Sequence, residues 1–363
     1  MDRGPRRPLG RSALSLPPLV LGGMFREAGS RTSEIERALD YALERGFGAI
    51  DTAPLYGFGE GEALVGAWLR GRRDRVVLMT KVGLRWDDDF GDVLFTQIVE
   101  GRRRTVRRDA RPDSIRRDVE ASLARLGCET LDLVQIHQRD HRTPLCESLG
   151  ALLRLRDEGK LRSIGVSNFS ARDLAEAERL AGPDGLASTQ NPYSLLDRRV
   201  ESEILPTARG HGIGLLAYSP LARGLLAGRA ARNAPPIRDG RRNEALFQAR
   251  NRQRVQAAIE RGLLPIARDR GVSIGAVALA WLIAQPGVGA AIVGAQDEAQ
   301  IAAALPARDL VLTAEERSAI ERPFAALPID PSAGLPLARR LVRRLRRIGH
   351  GLQRVRERVR RAR

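Results

Sequence analysis

Four polar residues of different types each come just after a short, apolar, β-rich segment of the sequence. They are Asp51 and Tyr56 after residues 47–50, Lys81 after residues 76–80, and His137 after residues 131–136. The carboxyl ends of parallel strands meet at one edge of a sheet or at one rim of a barrel, so strands at these segments would gather all four side chains. Each residue alone has an ordinary structural explanation, but the set indicates a shared site.

Together these side chains suit carbonyl reduction, in which hydride adds to carbon and the developing alkoxide needs a proton. An ammonium about 4 Å from the phenol oxygen of Tyr56 is worth roughly 4 kcal/mol at an effective dielectric of 20, and lowers a tyrosine pKa by at most about three units. Desolvation opposes this effect. We therefore predict Tyr56 as the proton donor and Lys81 as its activating cation. Asp51 would orient Lys81, and His137 would hydrogen-bond the substrate oxygen.

The choice of lysine at position 81 supports this interpretation. The chain has 61 basic residues, and Lys81 and Lys160 are the two that are not arginine. A compact ammonium whose pKa can move is what arginine does not offer. Lys160 ends a predicted helix and is interpreted as a helix C-terminal charge.

Charge and cysteine content exclude several other classes of protein. The net charge is +17, but residues 337–363 hold 12 arginines and one glutamate, so the rest of the chain carries only +6. Most of the chain is therefore not charged like a nucleic-acid-binding protein. Cys128 and Cys146 are too few for a disulfide framework or a metal site, and we predict both as buried thiols of a protein without a metal, in the reducing cytoplasm.

Two apolar stretches imitate targeting or membrane segments. Residues 13–23 are interrupted by two prolines and two glycines, and no cleavage pattern follows them. Residues 271–296 carry no charge, but Pro286 and Gly287 divide them into a predicted buried helix at 273–284 and a strand at 288–293. The sequence therefore predicts no transmembrane segment and a cytoplasmic protein.

Short apolar segments alternate with amphipathic helical segments along most of the chain, which predicts a parallel sheet. Predicted strands are 47–50, 76–80, 131–136, 163–166, 187–189, 213–217 and 289–293, and predicted helices are 33–45, 60–70, 112–126, 145–158 and 171–181. Residues 16–21 are either an eighth strand or an N-terminal plug. The glycines at 57, 59 and 61 have the wrong spacing for an open dinucleotide-binding sheet, so a single (β/α)8 TIM barrel over residues 1–335 is favoured.

Seven motifs, in order, resemble those of the aldo-keto reductases over about residues 8–320. They are LGRS (9–12), DTAPLYG (51–57), TKVG (80–83), QIH (135–137), GVSNF (165–169), QNPYS (190–194) and AYSPL (217–221). The resemblance implies a (β/α)8 barrel that binds NADPH in an extended form, with Asp51, Tyr56, Lys81 and His137 as its catalytic residues and a small carbonyl compound as substrate.

The resemblance also implies which residues contact the cofactor. Ser167, Asn168 and Gln190 would hydrogen-bond the nicotinamide carboxamide, and Tyr218 would stack on its ring. The other implied cofactor contacts are Gly23, Ser219, Pro220, Leu221, Gly224, Gly294, Gln296 and Gln300, and the implied substrate contacts are Met24, Phe25, Trp86 and Gln138. Residues 292–296 read IVGAQ and depart from the family pattern at the adenosine end, so NADH stays open as an alternative to NADPH.

Three further segments are interpreted as additions to the barrel. Residues 84–111 are either a lid, with Trp86 facing the substrate, or a disordered insertion. Residues 223–242 either wrap the cofactor or form a solubilising surface. Residues 336–363 read as an Arg-rich amphipathic helical tail, which is docked, solvated, in contact with anionic lipid or nucleic acid, or bound to another subunit.

Two functions remain open at this point. The first is an NADP-dependent carbonyl reductase. The second is a catalytically slow, NADPH-sensing regulatory subunit similar to the accessory barrels of potassium channels, which keep the same four residues.

Overall fold

The computed structural model describes residues 5–25, 32–99, 101–182, 185–228, 244–325 and 327–329. These residues form two compact units. The first unit contains the described residues up to Arg223 together with Gly275–Leu312, and the second contains Gly224–Ile274 and the described residues from Thr313 onwards. The predicted boundary at residue 335 and the tail at 336–363 lie outside the described residues.

Within the described residues there are thirteen strands. They are β1 (Arg7–Pro8), β2 (Ser15–Leu16), β3 (Leu19–Gly22), β4 (Ala49–Asp51), β5 (Val77–Val82), β6 (Leu84–Arg85), β7 (Asp92–Val99), β8 (Arg102–Arg108), β9 (Leu131–Ile136), β10 (Leu161–Ser167), β11 (Ser188–Pro192), β12 (Gly214–Tyr218) and β13 (Val288–Val293).

The same residues form eleven α-helices. They are α1 (Thr32–Glu44), α2 (Glu60–Leu69), α3 (Pro112–Leu126), α4 (Leu145–Asp157), α5 (Ala171–Ala181), α6 (Ile204–Gly210), α7 (Ala249–Gly262), α8 (Leu264–Asp269), α9 (Ile274–Ile283), α10 (Glu298–Ala304) and α11 (Ala314–Ala325).

Eight parallel strands of the first unit close into a barrel in the order β3, β4, β5, β9, β10, β11, β12, β13. The (β/α)8 barrel is therefore confirmed over the open sheet. The pairing of the last strand, β13, with the first, β3, closes the sheet and leaves it without an edge, and long connections between successive strands allow the parallel pairing. Neighbouring helices pack in sequence, α2 against α3, α3 against α4, and α4 against α5.

Alternate residues of the strands fill the inside of the barrel, since successive side chains point to opposite faces. The buried inner cluster includes Ala49, Met79 and Leu133. The next inward positions, two residues further along each strand, are Asp51, Lys81 and Gln135. An apolar layer therefore supports a polar layer at the carboxyl ends of the strands, and the strand alternation alone sets this order.

A short N-terminal hairpin closes the other end of the barrel. Strands β1 and β2 pair antiparallel, and Leu9 and Leu16 are fully buried in the inner cluster. A side chain at Gly214 or Gly289 would meet Leu9 Cδ1 at 2.5 or 2.6 Å, so these glycines leave room for it. Both predictions for residues 16–21 are right in part, because Leu16 belongs to the plug and β3 is the eighth barrel strand.

Local signals fix the ends of the helices that follow the strands. Pro112 begins α3, and Gly127, with φ of 64°, ends it. Ser170 caps α5 by accepting a hydrogen bond from the Asp173 N–H. The predicted helix at 273–284 is α9, and it is buried along nearly its whole length. None of the helices in the described ranges has the length and apolar character needed to span a bilayer.

Residues 84–111 contain an ordered addition to the barrel. Strands β6, β8 and β7 form an antiparallel sheet in that order, which we call the inserted sheet. Its root is held by Asp118 of α3, which accepts hydrogen bonds from the Gly83 N–H at 2.9 Å and from Arg85 at 2.8 Å. Burial raises the pKa of Asp118 to about 7. In its described part the predicted insertion is therefore a sheet.

The second unit is helical in its described part. Helix α7 packs against α8 and α11, and Gly262 lies close to the Ile320 carbonyl, which a side chain there would meet at 3.1 Å. Arg270 forms an ion pair with Glu316 at 2.9 Å. The segment predicted to wrap the cofactor, 223–242, lies mostly outside the described residues.

The prediction of two core cysteines is wrong. Cys146 is exposed on α4, and Cys128 is half-buried just after α3. Both residues lie next to turns at the surface of the first unit, so the general tendency of free cysteine to be buried does not hold at these positions.

Candidate active site

The structure brings Asp51, Tyr56 and Lys81 into direct contact at the carboxyl ends of β4 and β5. Lys81 Nζ lies 2.6 Å from Asp51 Oδ2, 3.2 Å from Tyr56 Oη and 3.0 Å from the Thr52 carbonyl oxygen. The ammonium thus donates hydrogen bonds to three oxygens, one of which is the phenol oxygen of Tyr56. Its side chain is 1% exposed, so the contact forms away from bulk water.

Asp51 is the centre of a buried hydrogen-bond network. Besides Lys81, its carboxylate accepts hydrogen bonds from Gln135 Nε2 at 3.3 Å and from Gln190 Nε2 at 3.0 Å. Gln135 in turn accepts a hydrogen bond from the Ser188 hydroxyl at 3.1 Å. Amides and an ammonium therefore surround this buried carboxylate, as a buried charge requires.

Sequence reasoning missed the contribution of Gln135, which entered only as part of a motif. The signal was present, because Gln135 lies two residues before His137 and therefore points to the same side of β9. Its place also depends on Gly165. A side chain at Gly165 would meet Ser188 Oγ at 2.2 Å and Gln135 Cγ at 3.2 Å, so this glycine makes room for their hydrogen bond.

Burial and charge shift the pKa values of the tyrosine and the lysine in the same direction. Burial raises the pKa of Tyr56 above its ordinary value of 10.0, and this outweighs the lowering effect of Lys81. Burial lowers the pKa of Lys81, but Asp51 and Tyr56 raise it more, so the ammonium keeps its proton at neutral pH. The expected acidification of the phenol by Lys81 is present, yet desolvation is the larger effect.

His137 lies beside the tyrosine but outside the carboxylate network. The rings of Tyr56 and His137 are 6.2 Å apart and nearly perpendicular. Burial, and after it the charge of Lys81, lowers the pKa of His137 well below 6.5, so the imidazole is neutral at physiological pH. A neutral imidazole can donate one hydrogen bond to an oxygen placed between the two rings.

Asn168 joins a second polar cluster on the neighbouring strands. Its amide donates to the His137 carbonyl at 3.0 Å and to Ser167 Oγ at 2.9 Å, and its oxygen accepts from Tyr218 Oη at 2.9 Å. Asn168 has φ of 60°, a left-handed conformation that residues adopt mostly at turns and functional sites. The cluster links β10 and β12 directly to the segment that carries His137.

Gln190 connects the two clusters. Its side-chain amide donates to Asp51, while its carbonyl oxygen on the main chain accepts from Ser167 Oγ at 3.1 Å. The predicted carboxamide contacts Ser167, Asn168 and Gln190 are therefore neighbours, and they lie directly beside Asp51 and His137.

Most of the other predicted cofactor residues follow the carboxyl ends of the barrel strands β3, β12 and β13. Gly23 is buried, and a side chain there would meet Thr52 Cβ at 2.9 Å, whereas a side chain at Gly294 would meet nothing. Gln296 donates to the Met24 carbonyl at 3.3 Å, and the Gln300 N–H donates to Asp297 at the start of α10. The remaining ones are Ser219 with φ of 52°, Pro220, which is buried, Leu221, which is half-buried, and Gly224, which begins the second unit.

The predicted substrate contacts differ in their surroundings. Met24 is 62% exposed, and Phe25 is buried. Gln138 is half-buried just after His137. Trp86 packs edge-on against Phe58, with ring centroids 5.0 Å apart, so its side chain contacts the segment that follows Tyr56.

The chain is similar to several known proteins along most of its length. A model of the aldo/keto reductase family matches residues 18–323. The NADH-specific methylglyoxal reductase of Escherichia coli is 34% identical over 81% of this chain and 90% of its own. A protein of rice named a probable voltage-gated potassium channel subunit beta is 32% identical over 88% and 96%. The structure of the glycerol dehydrogenase of Gluconobacter oxydans is 36% identical, with a TM-score of 0.78 over 91% and 99%.

Proposed function

Because this chain belongs to the aldo/keto reductase family, we propose that it reduces a small aldehyde or ketone with a nicotinamide cofactor and that Tyr56 donates the proton. The observation that best supports this role is the 3.2 Å contact between Tyr56 Oη and the buried Lys81 ammonium. A phenol beside a cation that keeps its charge can release a proton to a strongly basic alkoxide without the loss of a stabilising partner.

The polar cluster beside the four predicted catalytic residues fits a nicotinamide. Ser167, Asn168 and Gln190 present hydroxyl and amide groups within one hydrogen-bonded set, which matches the donors and acceptors of a carboxamide. Tyr218 is fixed through its hydroxyl to Asn168, so its ring has one orientation at this rim. When bound, the nicotinamide supplies the hydride.

The proton follows a short path in this proposal. Tyr56 is protonated at neutral pH, because burial raises its pKa, and its O–H bond breaks as the substrate oxygen takes the proton. Lys81 then stands beside the phenolate, and Asp51 keeps Lys81 in place. Neutral His137 donates a hydrogen bond to the same substrate oxygen and orients it toward Tyr56.

For the cofactor we propose NADPH, with NADH as the alternative to be measured beside it. The relative from Escherichia coli is named as NADH-specific, and residues 292–296 of this chain depart from the family pattern. Fluorescence titration with each cofactor gives the two dissociation constants directly. A tighter constant for NADH reverses the preference without a change in the proposed chemistry.

A second function is a cofactor-sensing regulatory subunit, which the rice relative favours by its name. Such a protein binds the cofactor but turns over carbonyl compounds slowly. A panel of small aldehydes separates the two functions, since tight cofactor binding without turnover supports the sensor.

The direct test of the enzyme is Tyr56→Phe, which removes one oxygen and leaves the ring. We expect cofactor binding within about twofold of the wild type and turnover reduced by about three orders of magnitude, within the range for loss of a general acid. Tyr41→Phe is the matched control, since Tyr41 lies in α1 and its ring contacts Arg45, directly after the same helix, rather than Lys81. Wild-type turnover in Tyr56→Phe contradicts the proposal.

A further inference from the structure

Residues Tyr56–Gly59 form a turn with an unusual backbone, which we call the tyrosine turn. Gly57, Phe58 and Gly59 have φ of 62°, 54° and 101° in succession. Glycine adopts such angles at no steric cost, but a bulky residue such as Phe58 does so at a cost in free energy. Contacts outside the turn must therefore hold Phe58 in this conformation.

Those contacts come from the inserted sheet. The ring of Phe58 packs against Trp86 at 5.0 Å between centroids and 82° between planes. The guanidinium of Arg104 lies over the same ring, 4.6 Å from its centre. Trp86 directly follows β6, and Arg104 lies in β8, so residues at two of the three strands of the inserted sheet contact this one side chain of the turn. Edge-to-face aromatic packing and a cation over a ring are both attractive.

The other side of the tyrosine turn is closed by packing. A side chain at Gly59 would meet Arg125 Cδ at 3.1 Å, and one at Gly61 would meet the Tyr56 carbonyl oxygen at 2.9 Å. Arg125 itself donates to Glu62 at 2.7 Å, and Glu62 accepts from Thr80 at 2.6 Å, next to Lys81. The turn is thus fixed against α3 and β5 on this side and against the inserted sheet through Phe58.

We propose that the inserted sheet positions the proton donor. Trp86 and Arg104 hold Phe58 in its left-handed conformation, and this keeps Tyr56 Oη at 3.2 Å from Lys81 Nζ. Trp86, Arg104 and Phe58 are positioning residues in this account, which rests on the proposed function of Tyr56. The account differs from the role of Trp86 as a wall against the substrate, because it acts through the tyrosine turn.

A double-mutant cycle between Phe58→Ala and Trp86→Ala tests the inference. We expect each single variant to lower kcat about tenfold, with KM and the cofactor dissociation constant within about twofold of the wild type. Because both act through the same contact, the double variant should be no slower than the slower single variant. Independent effects that multiply in the double variant, or a rise in KM that grows with substrate size, overturn the proposal.

Two control variants separate positioning from general loss of structure. Phe90→Ala removes an aromatic ring from the same insertion, where it packs under Arg111 at 3.7 Å and not on the tyrosine turn, and should leave kcat unchanged. Phe58→Tyr keeps the ring and should retain nearly wild-type kcat. Equal losses in Phe90→Ala and Trp86→Ala contradict a specific role for Trp86.

A readout that does not depend on turnover comes from tyrosine labelled with 13C at the ζ carbon. The Tyr56 resonance is assigned by its absence in Tyr56→Phe. We expect this resonance and its titration midpoint to shift in Phe58→Ala and Trp86→Ala and to stay in place in Phe90→Ala. An unshifted resonance in Trp86→Ala overturns the inference, whereas shifted resonances in a protein without turnover count only against the proposed function.

Discussion

The two ends of the barrel each bury an aspartate among basic side chains, but they use different cations. At the carboxyl end, Asp51 binds Lys81, which is almost completely enclosed. At the amino end, Asp132 binds Arg73 at 2.9 Å and Arg162 at 2.6 Å, and it also accepts from the Leu78 N–H. The two carboxylates are equally buried, so burial of an acid does not by itself distinguish the proposed active site.

The difference lies in what the cations can do. A guanidinium stays protonated under all ordinary conditions and offers a rigid fork of donors, which suits a structural joint. An ammonium is a compact charge that can stand beside a phenol and share its hydrogen bonds. The amino end also carries an open cleft of about 830 Å³ lined by Arg73, Arg162 and Asp132. The lining of this cleft includes none of the four residues of the proposed active site, whereas Lys81, one of the two lysines in the chain, belongs to that site.

The largest expected effect comes from exchanging lysine and arginine at the two ends of the barrel. We expect Lys81→Arg to lower turnover at least about 100-fold, since a planar fork cannot occupy the space among Asp51, Thr52 and Tyr56. The matched change, Arg73→Lys, should leave turnover unchanged and cost about 1 kcal/mol of unfolding free energy, because Arg73 also donates to the Val76 and Thr130 carbonyls. Steady-state kinetics and thermal melts measure both, and equal turnover in the two variants refutes the contrast.

Removal of the acid at the amino end should affect stability alone. Asp132→Asn keeps the volume but leaves Arg73 and Arg162 without their carboxylate, and we expect a loss of about 2 kcal/mol in unfolding free energy. Turnover should stay within about twofold of the wild type. Urea titration gives the first number, and a fall in turnover like that of Lys81→Arg would falsify the separation of the two ends.

The smallest expected effect concerns pH. Burial and Lys81 lower the pKa of His137 in the folded state, so its contribution to stability is present above pH 6.5 and is lost as the pH falls toward the lowered pKa. The cost is at most about 1.4 kcal/mol for each pH unit below 6.5. His137→Gln should flatten this part of the pH dependence of unfolding, and His211→Gln, exposed near the amino end, serves as its control. Parallel curves of unfolding free energy against pH for the wild type and His137→Gln would contradict this contribution of His137.

The sequence predicts the barrel well because its strands and helices are long, periodic and separated by clear turn signals. Seven of the eight barrel strands are predicted, residues 16–21 stay open between a strand and a plug, and the strand ends point to Asp51, Lys81 and His137. Contacts between distant segments were not predictable in the same way. The sheet order of residues 84–111 and the packing of Trp86 on Phe58 depend on pairing that no local pattern specifies.

The direction in which the pKa of Tyr56 shifts could not be predicted from the sequence either. The proximity of Lys81 could be inferred, but the extent of desolvation depends on the whole surrounding shell. Burial proved larger than the effect of the ammonium, and the pKa of Tyr56 rises. For Gln135, strand alternation is sufficient to predict its place beside Asp51. The prediction did not include it because a neutral side chain is not an obvious candidate for acid–base chemistry.

The plug at the amino end has a consequence for the order of assembly. Leu9 precedes every strand of the barrel in the sequence, but the space it fills lies beside Gly214 of β12 and Gly289 of β13, the last two barrel strands in chain order. During synthesis the plug is therefore made before the barrel strands, and it cannot pack in its final position until β12 and β13 have been made. Closure of this end is a late, long-range event, and the early chain exposes Leu9 and Leu16 until then.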